Sequence, residues 1–188
     1  MSKSNTSALI KKLDTQNDKV AEKVIQRLVA IGKSTVPLLV QAAENEKSPR
    51  IRKWSLQALG AIGDKRVAPL LIEALKDHRM TVRLHALKGL GRLKYKKGVK
   101  QIASLLKDES GGIRVNALYA LMEIEDVSVN SKILKSLLDS QWYVRQTAAI
   151  ACGKLGIVKA KKTLNHLLDR DLRKAVRLAA KKALLSLN

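Results

Sequence analysis

Five arginines, Arg52, Arg83, Arg114, Arg145 and Arg177, each stand six residues after an acid: Glu46, Asp77, Asp108, Asp139 and Asp171. A guanidinium offers planar donors that a carboxylate accepts two at a time, so these residues can form charge-assisted bidentate pairs that lysine would make less well. With a carboxylate near every arginine, the set reads as structural pairing and not as a row of ligand-binding cations. The remaining chemistry-bearing residues form no catalytic pattern. His78, His85 and His166 lack metal-ligand spacing, and there is neither a Gly-x4-Gly-Lys-Ser/Thr loop nor a Gly-x-Ser-x-Gly elbow. The single cysteine, Cys152, excludes an internal disulfide framework. No enzyme activity, cofactor, metal or small-molecule substrate is therefore expected.

The elements that position these residues repeat. The aliphatic/arginine pairs Ile51-Arg52, Val82-Arg83, Ile113-Arg114, Val144-Arg145 and Val176-Arg177 follow one another at steps of 31, 31, 31 and 32 residues. A fixed period of this size marks stacked copies of one supersecondary unit. An atypical first copy carries Val20, with Ala21 in place of the arginine and Thr15 in place of the acid. Within a copy, Arg66–Asp77 shows apolar residues at helical spacing, a short turn follows, and Thr81–Leu93 repeats the pattern with Thr81 placed to cap it. Each copy is thus a helix pair. Gly32, Gly63 and Gly156 end second helices, where a left-handed residue closes a helix cheaply. Gly111-Gly112 reads as a flexible turn.

Aligned on the aliphatic residue, the positions four and seven later are mostly small. Those eight later (Leu28, Leu59, Leu90, Leu121, Cys152, Leu184) and eleven later (Ile31, Ile62, Leu93, Ile124, Leu155, Leu187) are apolar and are assigned to the core. Positions three, six and ten later should then point outward. Across the middle copies these include Trp54, His85, Lys88, Arg92, Asn116 and Tyr119, a candidate binding patch. An aromatic among cations suits stacking on a nucleobase and equally a protein hot spot.

The formal net charge is +21, from 37 basic and 16 acidic residues, which exceeds what solubility needs. Lysines gather in the turns that enter first helices: Lys94, Lys96, Lys97 and Lys100, then Lys159, Lys161 and Lys162. These turns are expected to form a basic edge able to follow a phosphate backbone or an acidic protein. The polar N-terminus has no secretory pattern, and no apolar run approaches the roughly 18 residues a membrane span requires. A cytoplasmic protein with no membrane partner is expected.

The motifs Asp77-x5-Arg83, Val82-Arg83-x2-Ala86 and Ala58-Leu59-Gly60-x-Ile62-Gly63 resemble the HEAT-repeat family. The resemblance is strongest to its short bacterial and archaeal form, which is similar to repeats of phycobilin lyase subunits. It covers residues from about 15 to 187. Pro37 and Pro69 fall near the start of first helices, as in the family, while Met122 and Glu125 replace glycines in the fourth copy. The resemblance implies an all-α, right-handed α-α superhelix of about six helix pairs, with second helices lining the concave side. The acids and arginines would form a ladder tying one repeat to the next. The repeats would span about 5–33, 34–63, 64–95, 96–126, 127–156 and 157–188 of a single domain, residues 1–188.

The function this implies is a non-catalytic interaction scaffold. Its basic edge and concave surface would hold a polyanionic partner, either nucleic acid or an acidic protein. An alternative comes from alkylpurine DNA glycosylases built of HEAT-like repeats, to which the chain is similar in being basic and in placing Tyr119 and Glu123 one turn apart. A carboxylate there would stabilise a cationic sugar during base loss. The chain departs from those enzymes in its short length and sparse aromatics.

Overall fold

Apolar residues at three- and four-residue spacing wind into twelve α-helices in the computed structural model, which describes residues 3–44 and 47–187. Glu46 lies outside the described residues. The chain divides into two compact units, Met1–Tyr95 and Lys96–Asn188, and the division falls at the boundary expected between the third and fourth repeats. The first unit holds α1 (Lys3–Lys11), α2 (Asp18–Ile31), α3 (Val36–Glu44), α4 (Pro49–Ile62), α5 (Ala68–Ala74) and α6 (Met80–Arg92). The second holds α7 (Val99–Ser104), α8 (Gly111–Ile124), α9 (Asn130–Lys135), α10 (Trp142–Lys154), α11 (Lys161–Arg170) and α12 (Lys174–Ser186). Odd-numbered helices are the first members of pairs and even-numbered helices the second. Short 3₁₀ turns lead into most first helices.

Within each unit the second helices lie side by side, α2 against α4 against α6 and α8 against α10 against α12. Small residues set how closely they approach. A Cβ built on Gly60 of α4 would stand 2.5 Å from the Gly89 Cα of α6, so these backbones touch where any side chain would intervene. The same register recurs in the second unit, where a Cβ on Gly153 would stand 2.9 Å from the Ala183 Cα.

The core differs from the columns assigned from sequence. Position eight is buried in Leu28, Leu59, Leu90, Leu121 and Cys152, but position eleven is buried only in Leu93 and Ile124. The missing column is position five: Ile25, Leu56, Leu87, Leu118 and Ala149 are all buried. It lies on the ridge joining positions one and eight.

The turn chemistry also departs from expectation. Thr81 sits inside α6 and does not cap it. Among the described residues no side chain caps α6, α8, α10 or α12; the acids instead shape the turn before each helix, accepting on Oδ1 from the backbone N–H two residues on: Arg79 to Asp77, Ser110 to Asp108, Gln141 to Asp139 and Arg173 to Asp171, all at 2.9 Å. This local turn is what asparagine and aspartate side chains favour. Thr15 retains that role in the first copy, its hydroxyl accepting from the Asn17 N–H at 3.1 Å. Gly111 and Gly112 do not form a loop. They open α8, and Gly111 is buried beneath the Tyr143 ring, which occupies the space a side chain would need.

Second helices end with positive φ at Gly32 (81°), Gly63 (79°) and Gly156 (63°), and the same position in the third and fourth copies holds Lys94 (48°) and Glu125 (57°). The backbone geometry persists where the glycine has been lost.

Candidate functional site

The arginines and acids meet in a pattern that their spacing did not reveal. Four of the arginines reach the backbone carbonyl, and not the carboxylate, of the acid six residues before them, while Arg52 Nη1 donates to the Ala43 carbonyl at 2.7 Å. Arg83 donates to the Asp77 carbonyl at 2.9 Å, Arg114 to that of Asp108 at 2.8 Å, Arg145 to that of Asp139 at 2.7 Å and Arg177 to that of Asp171 at 2.7 Å. Within the units, the carboxylates bound by Arg52, Arg114 and Arg145 belong to the following repeat. In the first unit Arg52 Nε donates to Asp77 Oδ2 at 3.2 Å. In the second, Arg114 binds Asp139 through Nε and Nη2, both at 2.8 Å, and Arg145 binds Asp171 at 2.7 and 3.2 Å. These are the geometry and surroundings of an internal tie between repeats. Asp77 also accepts from the Arg79 side chain, and these hydrogen bonds hold its carboxyl down at about 2. In the first copy, Asp14 makes a different tie to the next repeat, accepting from Ser48 Oγ at 3.0 Å and Arg50 Nη1 at 3.3 Å.

Two members of the expected outward patch are buried. Trp54 is only 6% exposed and His85 only 7%, so neither can stack on a partner, and Asn116 is half-buried with its Nδ2 donating to the Gly112 carbonyl. The reason is that position three lies over the seam between neighbouring second helices, where large side chains cover one another. The Trp54 and His85 rings are 5.5 Å apart, and the Lys53 ammonium sits 3.8 Å from the Trp54 ring centroid. Burial pushes the His85 imidazole down to about 4, with Lys88, Lys53 and Arg92 adding repulsion. His85 is therefore neutral at pH 7.

The outward stripe runs instead through positions two, six and ten. In the first unit it carries the half-buried Lys53 and the exposed Lys88 and Arg92. In the second it carries Tyr119 (50% exposed), Ile150 (42%) and Leu178 (51%), flanked by Glu123, Lys154 and Lys182. Ile150 stands at position six, one of the outward positions read from the sequence, whereas Leu178 stands at position two, which was not among them. Its signal was available as a four-residue spacing from the exposed positions six and ten. Glu123 is exposed and lies 3.7 Å from the Lys154 ammonium, so its carboxylate is partnered by a cation and stands in no enclosed groove with Tyr119.

Of the turn lysines, Lys94 lies at the end of the first unit, and the other six belong to the second. Lys96, Lys97, Lys100, Lys159 and Lys162 are exposed, whereas Lys161 is half-buried and has a partner. The two clusters of the second unit are separated by the turn after α8, which contributes Glu125 and Asp126. Hydrogen bonds from Ser128, assisted by Lys96, hold the Asp126 carboxyl below the usual range. Within this unit the basic edge is therefore interrupted by acid. Cys152 is fully buried and its thiol is pushed up to about 12 by that burial, which makes it inert packing. Among the described residues no group of three His, Cys, Asp or Glu side chains is placed to hold a metal ion, and no helix is long and apolar enough to cross a membrane.

A family profile described as HEAT repeats matches residues 6–80 and 71–140. No curated protein sequence matches the chain. Among solved structures, an engineered protein is similar over 97% of this chain and 96% of its own, at 18% identity and a TM-score of 0.65. A designed armadillo repeat protein in complex with the peptide (KR)4 is similar over 97% and 99% of the two chains, at 16% identity and a TM-score of 0.65. The complex of CpcE and CpcF of phycocyanin lyase from Nostoc sp. PCC7120 matches over 96% and 98%, at 25% identity and a TM-score of 0.50. The fold class is thus all-α, that of the α-solenoid repeat proteins.

Proposed function

Because this chain belongs to the HEAT-repeat family, we propose that it is a non-catalytic scaffold whose second-helix face holds an acidic protein segment that also carries apolar side chains. The carrying observation is the outward stripe of the second unit, where Tyr119, Ile150 and Leu178 are exposed beside Lys154 and Lys182. Exposed aromatic and aliphatic side chains ringed by cations match the anatomy of a protein interface, apolar at the centre and polar at the rim. A phosphate backbone has no use for Ile150 and Leu178.

The charge supports the same partner. Asp77, Asp139 and Asp171 are engaged by arginines of the ladder, and Asp64 by Arg66 at 2.7 Å. These pairs cancel their own charge, so the net charge of +21 is carried by the residues outside them. The CpcE–CpcF pair shows that a similar chain assembles with another protein. A designed armadillo protein with this fold holds a basic peptide, and the surface of this chain has the opposite preference. The reading places the chain in the cytoplasm, where a lone thiol stays reduced. A glycosylase reading is not favoured, because Glu123 is solvent-exposed and paired with Lys154.

Fluorescence anisotropy across a salt series tests this, with a Glu-rich peptide containing Leu and Phe, poly-glutamate, duplex DNA, single-stranded RNA and heparin as probes. Binding that prefers the mixed peptide and persists at physiological salt supports the proposal. A preference for one nucleic acid that withstands heparin would assign the surface to nucleic acid instead.

A further inference from the structure

A groove of about 430 Å³ lies on the first-helix side of the second unit, lined by residues of α7, α9 and the 3₁₀ turns that follow them. Its size falls in the range of small-molecule sites, roughly 300–1,000 Å³. Ala103 and Leu106 give it an apolar floor, and Lys107, Lys132 and Lys135 bring three ammonium groups to its walls. Among the described residues none of these lysines has a carboxylate within ion-pair distance. The acid that lines the groove, Asp139, has both carboxylate oxygens bound by Arg114 at 2.8 Å. Three cations therefore share one groove with nothing to neutralise them.

A hydroxyl joins the three ammonium groups. Ser136 lines the groove and is only 6% exposed as a residue, so its Oγ is held in place as a neutral donor beside the lysines. We propose that this groove binds small phosphate monoesters carrying an apolar stem. A phosphate monoester has close to two negative charges at neutral pH and three acceptor oxygens. That matches three ammonium groups and one hydroxyl better than a carboxylate does, while the stem covers Ala103 and Leu106. The site is independent of the scaffold reading, because no residue of the outward stripe lines it.

The test is an amide NMR titration of the whole chain with phenyl phosphate and with inorganic phosphate, at constant ionic strength. Saturable shifts confined to residues 103–107 and 132–139 are expected, with phenyl phosphate binding the more tightly. Lys132→Gln combined with Lys135→Gln should weaken binding at least about tenfold, through loss of two nearby charges. Ser136→Ala should weaken it without lowering the thermal midpoint, whereas Tyr119→Ala should leave it unchanged. Shifts scattered over lysines of both units, saturable shifts that survive the double substitution, or equal affinity for the two phosphates would overturn the proposal.

Discussion

Arg114 binds the carboxylate of Asp139 with two arms of its guanidinium, Nε to Oδ2 and Nη2 to Oδ1, each at 2.8 Å and across 25 residues of chain. Asp139 serves two further purposes. Its Oδ1 accepts the Gln141 N–H at 2.9 Å, which shapes the turn before α10, and its carbonyl accepts Arg145 Nη1 at 2.7 Å. One acid thus fixes its own turn, receives the arginine of the preceding repeat and anchors the arginine of its own. Asp171 has the same three roles. Repeats linked in this way should unfold together.

Breaking this link should be costly, since both side chains are largely buried. Arg114→Ala leaves an uncompensated carboxylate and should destabilise the protein by about 3 kcal/mol, read from the urea midpoint. Arg114→Lys keeps the charge but loses the fork, and an intermediate loss is expected. A midpoint unchanged in both variants would contradict the ladder.

Glu125 holds a left-handed conformation at φ 57°, at the position where Gly63 and Gly156 stand in other copies. A non-glycine residue there costs about 1–2 kcal/mol, of which the extra chain entropy of glycine offsets about 0.5–1. Glu125→Gly should therefore raise stability by about 0.5–1 kcal/mol. Thermal unfolding of that variant beside Lys94→Gly would show whether both strained helix ends respond.

The contact of Gly60 with Gly89 leaves no room for a side chain. Gly60→Ala would drive a methyl group to 2.5 Å from a backbone atom, and separating α4 from α6 to accommodate it should cost about 1–3 kcal/mol. Gly112→Ala is the control, because its nearest neighbour would be Ser110 Oγ at 3.5 Å. If the two variants melt alike, the close approach is not required.

Stability should fall with acid in two stages. His85 titrates at about 4 when folded, against an ordinary 6.5. The unfolded chain therefore takes up its proton first, and stability declines as pH falls from about 6.5 to 4. His85→Gln should remove that slope. Asp64 and Asp77 are held at about 2, below an ordinary 3.8. Their contribution is complete above pH 4 and is lost as pH falls towards 2. Guanidinium titrations at several pH values would separate the stages.

The repeat period and the helix pairing were legible because a copied unit makes its own alignment, whereas the division into two compact units after Tyr95 was not, since one repeat boundary looks like another in sequence. The partners of the arginines were not, since a carboxylate six residues back looks near in sequence while the fork reaches one 25 or 26 residues ahead. Trp54 and His85 were misplaced outward because helical phase alone cannot tell an open face from a seam between two parallel helices. Leu178 was overlooked for the same reason. The Ser136 groove left no motif, because Lys107 comes from the 3₁₀ turn after α7 and Lys132 and Lys135 from α9, elements brought together only in the fold.

The most direct test of the scaffold is the affinity of the acidic, Leu- and Phe-containing peptide for the wild-type chain and for Tyr119→Ala combined with Ile150→Ala. Charge reversal at Lys159 and Lys162 serves as the comparison. The double stripe variant should weaken binding at least about tenfold with its thermal midpoint unchanged, and reversal of the edge lysines should mainly reduce the salt dependence. Full affinity in the stripe variant, with binding abolished by the edge reversal alone, would contradict the second-helix face as the binding surface.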